Sequence, residues 1–202
     1  MMSALLLKDL YTLIKQEKIF LLIIIVFAIV PEYTISAFAI FDATMLPMAA
    51  LAYDERSKWD RLAAMMPYSS RNIVFAKYLL AYIGIVAAGV LSFVTQFFSS
   101  LLRNTAIGAE MPVSIMLTVC AASIMLAFNL SIMLRFGVEK GRIAFSLMFG
   151  VICTFLMIFS DKLSALSFVA TAGIELALLS IAVIVNILSI FLSTAWYKRK
   201  AL

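Results

Sequence analysis

The sequence predicts an all-α membrane protein with six transmembrane helices, both termini cytoplasmic, an N-terminal interfacial helix and a cytoplasmic helical loop. Three observations predict it. Of the 202 residues 65% are hydrophobic and only 13% charged, with a mean hydropathy of +1.10, whereas soluble domains run at about 45–50% apolar and about 25% charged. The charged residues divide the apolar text into runs near the length of about 20 residues that a membrane-spanning helix needs. The basic residues then gather between alternate runs. The chain also has no histidine and two cysteines far apart in sequence, which removes histidine-dependent nucleophilic sites and the usual zinc cages. The expectation is a single membrane domain that is not an enzyme, with no catalytic, metal-binding or cofactor-binding residues of its own.

Residues 3–16 come first. On a helical wheel Leu6, Leu7, Leu10, Leu13 and Ile14 fall on one side and Lys8, Thr12, Lys15 and Gln16 on the other, the pattern of a helix lying in the interface; a plain extension of the first span is the other reading. The spans follow at about 18–31, 36–53, 78–102, 113–134, 143–160 and 174–197, with a turn near Pro31 to Ser36, because proline lacks an amide hydrogen and ends a helix readily. These runs are too long and too uniformly apolar for barrel strands, and helices satisfy their backbone within the segment. Ile19 to Val30 resembles the core of a signal peptide, with Ala37-Phe38-Ala39 as a cleavage site. Asp9 and Glu17 in the leading region, and the long gap to Ala39, argue against cleavage.

Orientation follows from the charges. One side collects Lys8, Lys15, Lys18, Arg56, Lys58, Arg61, Arg71, Lys77, Arg135, Lys140, Arg142, Lys198, Arg199 and Lys200, which is 14 of the 16 basic residues, and leaves Arg103 and Lys162 on the other. Positive loops stay in the cytoplasm, so the 54–77 and 135–142 loops and both ends face inward. The net charge of +5 therefore sets topology and attracts membrane lipids; nucleic acid is not an expected partner.

The 54–77 loop is the most informative segment. Trp59, Leu62, Ala63 and Met66 recur at helical spacing on one face, Pro67 stops the helix, and Ser69 or Ser70 can cap the next one. Mixed charge around an aromatic anchor suits a protein contact; a solvated loop with Trp59 in the headgroup belt is the plainer reading. In the second inner loop Gly137 and Gly141 allow a tight turn. Within the spans small residues recur every four positions, at Gly84, Ala88 and Ser92, at Ser123, Ala127 and Ser131, and at Ser146, Gly150 and Thr154, so that helices can approach closely. Glu32 and Glu175 belong at the outer interface. Asp42, Gln96, Asn129 and Asn186 are the polar residues within spans that could line a pathway, with Pro47 loosening the helix below Asp42. The apolar segment 161–172 can be read as a re-entrant half-helix.

These pieces resemble the permease subunits of ABC-2 type transporters. The resemblance rests on Leu6-Leu7-Lys8-Asp9-Leu10, on Tyr53-Asp54-Glu55-Arg56-Ser57-Lys58-Trp59-Asp60 with Met66-Pro67 and Ser70-Arg71-Asn72-Ile73-Val74 before Lys77-Tyr78, and on Phe136-Gly137-Val138-Glu139-Lys140-Gly141-Arg142. It is sharpest for the small bacterial permeases that include phenol-soluble modulin exporters. It implies a subunit of a bacterial cytoplasmic membrane exporter that moves amphipathic peptides or hydrophobic compounds. The chain lacks any G-x-x-x-x-G-K-[ST] loop, so ATP and magnesium would be bound by a partner ABC ATPase. A second permease copy or a paralogue would complete the pathway. The resemblance assigns coupling to the ATPase to Asp54, Glu55, Trp59, Asp60, Arg61, Leu62 and Met66, and also to Phe136, Glu139 and Lys140. The alternative is a stand-alone secondary carrier or membrane binding protein using Asp42.

Overall fold

The computed structural model describes residues 2–66, 69–103, 110–147, 150–151, 154 and 172–200. Among them every regular element is a helix: α1 (Met2–Gln16), α2 (Lys18–Ile29), α3 (Tyr33–Ala43), α4 (Leu46–Arg56), α5 (Trp59–Met65), α6 (Ser70–Leu102), α7 (Glu110–Phe136), α8 (138–147) and α9 (Ala172–Lys200). Among the described residues four stretches are long and apolar enough to cross a membrane. They are Tyr33–Arg56, which takes α3 and α4 together, Ser70–Leu102, Pro112–Phe136 and Leu178–Lys198, and they overlap the second, third, fourth and sixth expected spans with different bounds.

The first expected span is shorter than its apolar run suggests. The 12 residues of α2 rise only about 18 Å, against a hydrocarbon core of about 30 Å. Both ends have a local cause. Glu17 leaves helical geometry at φ −113°, ψ 37°, and Val30 is extended at φ −68°, ψ 121°, the conformation that the following Pro31 imposes. The turn is confined to 30–32, and α3 begins at Tyr33, three residues before the expected start. Residues 143–147, 150–151 and 154 of the fifth expected span are helical; its other residues, and 161–171, lie outside the described residues.

The span made by α3 and α4 is broken in the middle. Pro47 cannot donate to the carbonyl of Ala43, and the chain crosses the gap by a tight turn in which Thr44 N donates to Phe41 O at 3.0 Å and Met45 N to Asp42 O at 2.9 Å. The expected 54–77 loop is mostly helix: α4 runs on to Arg56, α5 occupies Trp59–Met65, and α6 starts at Ser70. Ser69 takes the N-cap position of α6 but makes no side-chain cap hydrogen bond.

Lateral packing uses two of the three small-residue stripes. A Cβ on Gly84 would lie 2.6 Å from Leu46 Cδ1, and Ala88 and Ser92 are buried, so this face of α6 meets α3 and α4. On α7, Ser123, Ala127 and Ser131 are buried, with Ser189 of α9 donating to the carbonyl of Ala127 at 2.6 Å. The third stripe differs. Ser146 and Thr154 are exposed, and a Cβ on Gly150 would meet nothing within 4 Å among the described residues.

Polar side chains tie the helices together, as expected where lipid supplies no hydrophobic drive for association. Tyr78 of α6 hydrogen-bonds with Ser189 (2.5 Å) and Ser193 (3.0 Å) of α9, and Ser131 of α7 bonds with the same two serines at 2.7 and 3.0 Å. Toward the other end Thr95 donates to the carbonyl of Ala28 at 2.8 Å, and Tyr33 pairs with Thr118 at 2.9 Å. These contacts make α6 antiparallel to both α3–α4 and α9. The early turns of α6 and the last turns of α4, α7 and α9 therefore share one end of the bundle.

The two glycines of the second loop do different work. Gly137 sits at φ +89°, where a side chain is strained, and makes the turn. Gly141 is already inside α8 and packs on α7, where an added Cβ would come 3.2 Å from Met133 Cα; its added Cβ would also overlap Met133 Cγ. Gly141→Ala is expected to lower stability by about 1–3 kcal/mol through overpacking. Gly150→Ala, in open helix, should be neutral or stabilising by up to about 1 kcal/mol. Thermal unfolding of the two purified variants in the same detergent separates them.

Candidate functional site

At the end of the bundle rich in basic residues, three consecutive residues of α4 reach three different parts of the chain. Tyr53 donates its hydroxyl to Glu17 Oε1 at 3.1 Å and so pins the break between α1 and α2. Asp54 receives Lys8 of α1 at 2.6 Å on one oxygen and Lys77 of α6 at 2.5 Å on the other. Glu55 Oε2 accepts the backbone amide of Val138 at 3.1 Å, which places a carboxylate on the first amide of α8. A helix N-terminus favours such a partner both as a hydrogen-bond acceptor and as a negative charge.

The Asp54 contacts belong to a closed ring of alternating charge. Asp9 of α1 completes it, 3.1 Å from Lys8 and 2.8 Å from Lys77. Each ammonium touches both carboxylates, so the ring is neutral. The side chains of Lys77 and Asp9 are only 2% and 3% exposed. Lys77 lies about two turns into α6, with apolar neighbours on both sides in sequence, where an unpaired ammonium would be strongly penalised. Lys8 also lies over the indole of Trp59, 4.1 Å from the ring centroid, within cation–π range. A cavity of about 30 Å³ beside Asp54, Lys77 and Trp59 is large enough to hold water, and the buried Trp59 Nε1 has no hydrogen-bond partner among the described residues.

This geometry redistributes the residues expected to form a contact surface. Asp54 points into the bundle. Trp59, expected to be exposed, is half-buried against Ile73, Leu134 and their neighbours, and Ala63 is buried beside it. The expected apolar face of the short helix is therefore divided. Trp59 and Ala63 turn inward, whereas Leu62 is 49% exposed and Met66, just past the helix, 41%. Lys58 holds φ +53° ahead of α5, a left-handed corner unfavourable for an L-residue, and this corner sets the direction of α5. The side chains of Asp60 and Arg61 lie outside the described set. Phe136 is 52% exposed, and Glu139 and Lys140 are exposed at the start of α8. A groove of about 480 Å³ on the same face is bordered by Glu17, Glu55, Arg56, Glu139 and Arg142, a mixed-charge surface.

The polar residues expected to line a pathway have other occupations. Gln96 donates to Ser36 at 2.7 Å, Asn186 accepts from Tyr82 at 2.5 Å, and the buried Asn129 donates to Met48 Sδ at 2.9 Å, each joining two helices. Of the four, only the side chain of Asp42 makes no hydrogen bond or ion pair among the described residues, and it sits half-buried beside the α3–α4 break.

Lys8, Asp9 and Lys77 were not legible as a site from sequence. Their signal was present, since Lys77 interrupts an apolar stretch and Asp9 lies on the face of α1 that carries Leu5 and Leu13. Those three residues, at i, i+4 and i+8, are the buried ones of α1, while Leu7, Tyr11 and Ile14 are exposed.

Over residues 4–198 the sequence matches a family described as "ABC-2 family transporter protein". No protein of curated function and no solved structure matches it.

Removing one member of the ring strands the others. Lys77→Met should destabilise the protein by about 3–5 kcal/mol, because Asp9 and Asp54 are left sharing the single ammonium of Lys8, with one negative charge in excess. The double variant Lys77→Met with Asp9→Asn should recover part of that loss. A double-mutant cycle on thermal unfolding measures the coupling.

Proposed function

The chain belongs to the ABC-2 transporter family, and from that membership we propose that it is the transmembrane permease subunit of a bacterial ABC exporter, driven by a separate ATPase that docks beside α5 and the start of α8. The match spans all but the first three and last four residues, so the chain corresponds to the membrane part of such a transporter. It is a multi-pass membrane protein whose family implies an ABC ATPase partner. The inward orientation of the basic end is supported by the distribution of lysine and arginine. On that orientation α1 lies along the inner interface, with Leu7, Tyr11 and Ile14 toward lipid, and the six spans count the segment begun by α8 and the short α2. That helix runs from the Glu17–Tyr53 contact at the basic end to the Ala28–Thr95 contact toward the other.

The observation that carries the coupling role is the fan of contacts from Tyr53, Asp54 and Glu55. Leu62, Met66, Phe136, Glu139 and Lys140 offer exposed apolar and charged groups to the ATPase. The residues beside them fasten this surface to α1, α6 and α8. Movement imposed on the surface by ATP-driven closure would be passed to those helices as a rigid-body shift. In this reading Asp54 and Trp59 transmit from inside the fold, and Asp60 and Arg61 belong to the docking helix.

A second copy or a paralogue completes the pathway, with the exposed stripe of Ser146, Gly150 and Thr154 as one face available for close helix approach. Apolar walls rich in Phe, Leu and Met suit an amphipathic peptide or a hydrophobic compound, in keeping with the resemblance to phenol-soluble modulin exporters. Hydrolysis of ATP takes place on the partner chain.

Co-purification with an ATPase encoded nearby tests the docking surface. Leu62→Glu with Met66→Glu should reduce recovery of the ATPase by about tenfold or more, the effect of losing one or two anchor contacts, while the thermal transition of the permease stays unchanged. Undiminished recovery would sink the assignment.

A secondary carrier or a membrane binding protein using Asp42 is the second reading, favoured by that carboxylate's position at a helix break without a partner among the described residues. Asp42→Asn separates the two. ATP-dependent export should persist in this variant, and transport driven by a proton gradient and abolished by the substitution would instead establish the carrier.

A further inference from the structure

Between the starting turns of α6 and the final turns of α9 lies a groove of about 490 Å³, a volume typical of ligand sites. Its wall is apolar: Phe75 of α6 faces Ile187, Ile190 and Phe191 of α9. Thr194 adds no free donor, because its hydroxyl is turned back to the carbonyl of Phe191 at 2.8 Å. Polarity is confined to one end. Arg71, exposed in the first turn of α6, and Asn72 border the groove there, and the exposed Lys198 follows one turn after Thr194 on the same face of α9. Among the described residues no acidic side chain lines it.

We propose that this groove binds an anionic phospholipid of the cytoplasmic leaflet, its headgroup phosphate on Arg71 and Lys198 and an acyl chain along Phe75, Ile187 and Phe191. The distribution of groups is that of the lipid itself, charge at the rim and hydrocarbon below. From Thr194 down to Ile187 the helix rises about 10 Å, which fits within one leaflet of a core of about 30 Å. Cationic pockets between helices on the cytoplasmic side attract anionic headgroups, with each Lys or Arg near the surface contributing to the preference. A second copy of this chain is a poorer occupant. It would present the same basic end, and a two-fold contact would set like charges against each other. The leaflet named here rests on the orientation proposed above; the preference for an anionic headgroup does not.

The test uses the full-length protein purified in detergent and offered phosphatidylglycerol or phosphatidylcholine at equal concentration, with bound lipid counted by native mass spectrometry. Phosphatidylglycerol should be retained about fivefold or more over phosphatidylcholine. Arg71→Gln should remove most of that preference, Arg71→Lys should keep it, and Thr194→Trp, which fills the groove, should lower retention of both lipids. Arg103→Gln, at the far end of α6, should change neither. Equal retention of the two lipids by the parent protein would overturn the proposal, as would undiminished phosphatidylglycerol in both Arg71→Gln and Thr194→Trp. Efficient disulfide dimerisation of Phe191→Cys in the membrane would overturn it too, by showing a second copy in the groove. If labelling finds Ser57→Cys open to the outer side, the orientation fails while the anionic preference in detergent still decides the lipid site.

Discussion

Two lysines and two aspartates, of which Lys77 and Asp9 are almost wholly withdrawn from water, are the constraint around which the basic end of this bundle is organised. Such groups are stable together only when every charge has a close opposite, because desolvation of each ion is expensive and the attraction between them must offset it. Lys8, Asp9, Asp54 and Lys77 meet that condition by closing into a ring, and the ring can form only if α1, α4 and α6 hold one arrangement. A purely apolar contact would allow these helices to slide or rotate at little cost. The ring instead specifies register. Trp59 is placed by the same interaction, since its indole lies under the Lys8 ammonium, and α5 follows from the position of Trp59.

Farther into the bundle the helices are joined by weaker polar contacts of the same logic. Tyr78, Ser131, Ser189 and Ser193 form a buried hydroxyl cluster linking α6, α7 and α9, and Tyr82 with Asn186 adds a further tie. In a lipid environment such bonds and close packing of small residues are the main forces between helices. The bundle thus has a layered build, with ion pairs at one end, hydroxyl contacts in the next layer, and Tyr33, Thr95 and Gln96 bonds toward the other end.

Hydropathy made the four long apolar stretches legible, because a window average depends only on composition and length. It could not find the shortness of α2, which comes from the local geometry at Glu17 and before Pro31. Nor could it say which way Trp59 faces. In a membrane protein the lipid-facing and protein-facing sides of a helix are both apolar, so periodicity loses the contrast that marks a buried face in water. That is why Leu7 and Ile14 were grouped with Leu13 although they point the opposite way. The same limit explains Gln96, Asn129 and Asn186: a polar residue in an apolar run announces that it needs a partner, without saying whether a neighbouring helix or a cargo supplies it. Beyond its place at the end of the motif that carries the resemblance, Lys77 offers the sequence only its sign, as a topological marker. Its burial depends on Asp9 and Asp54, whose approach to one another cannot be read from spacing along the chain. Within the motif 53–60 the structure distinguishes the first three residues, each of which has different long-range partners.

That division of labour has a consequence for how the chain can vary in length. Successive residues on a helix point about 100° apart, so Tyr53, Asp54 and Glu55 can serve Glu17, the lysines and Val138 at once only in their present phase. One residue inserted or deleted within the half of α4 between Pro47 and Tyr53 would rotate all three together and release three distant segments in one step. The corner at Ser57 and Lys58 is different, being solvent-exposed turn rather than helix. Length changes in this part of the sequence are therefore accommodated after residue 56 and excluded before it, which makes the last turn of α4 the phase reference for the basic end of the protein.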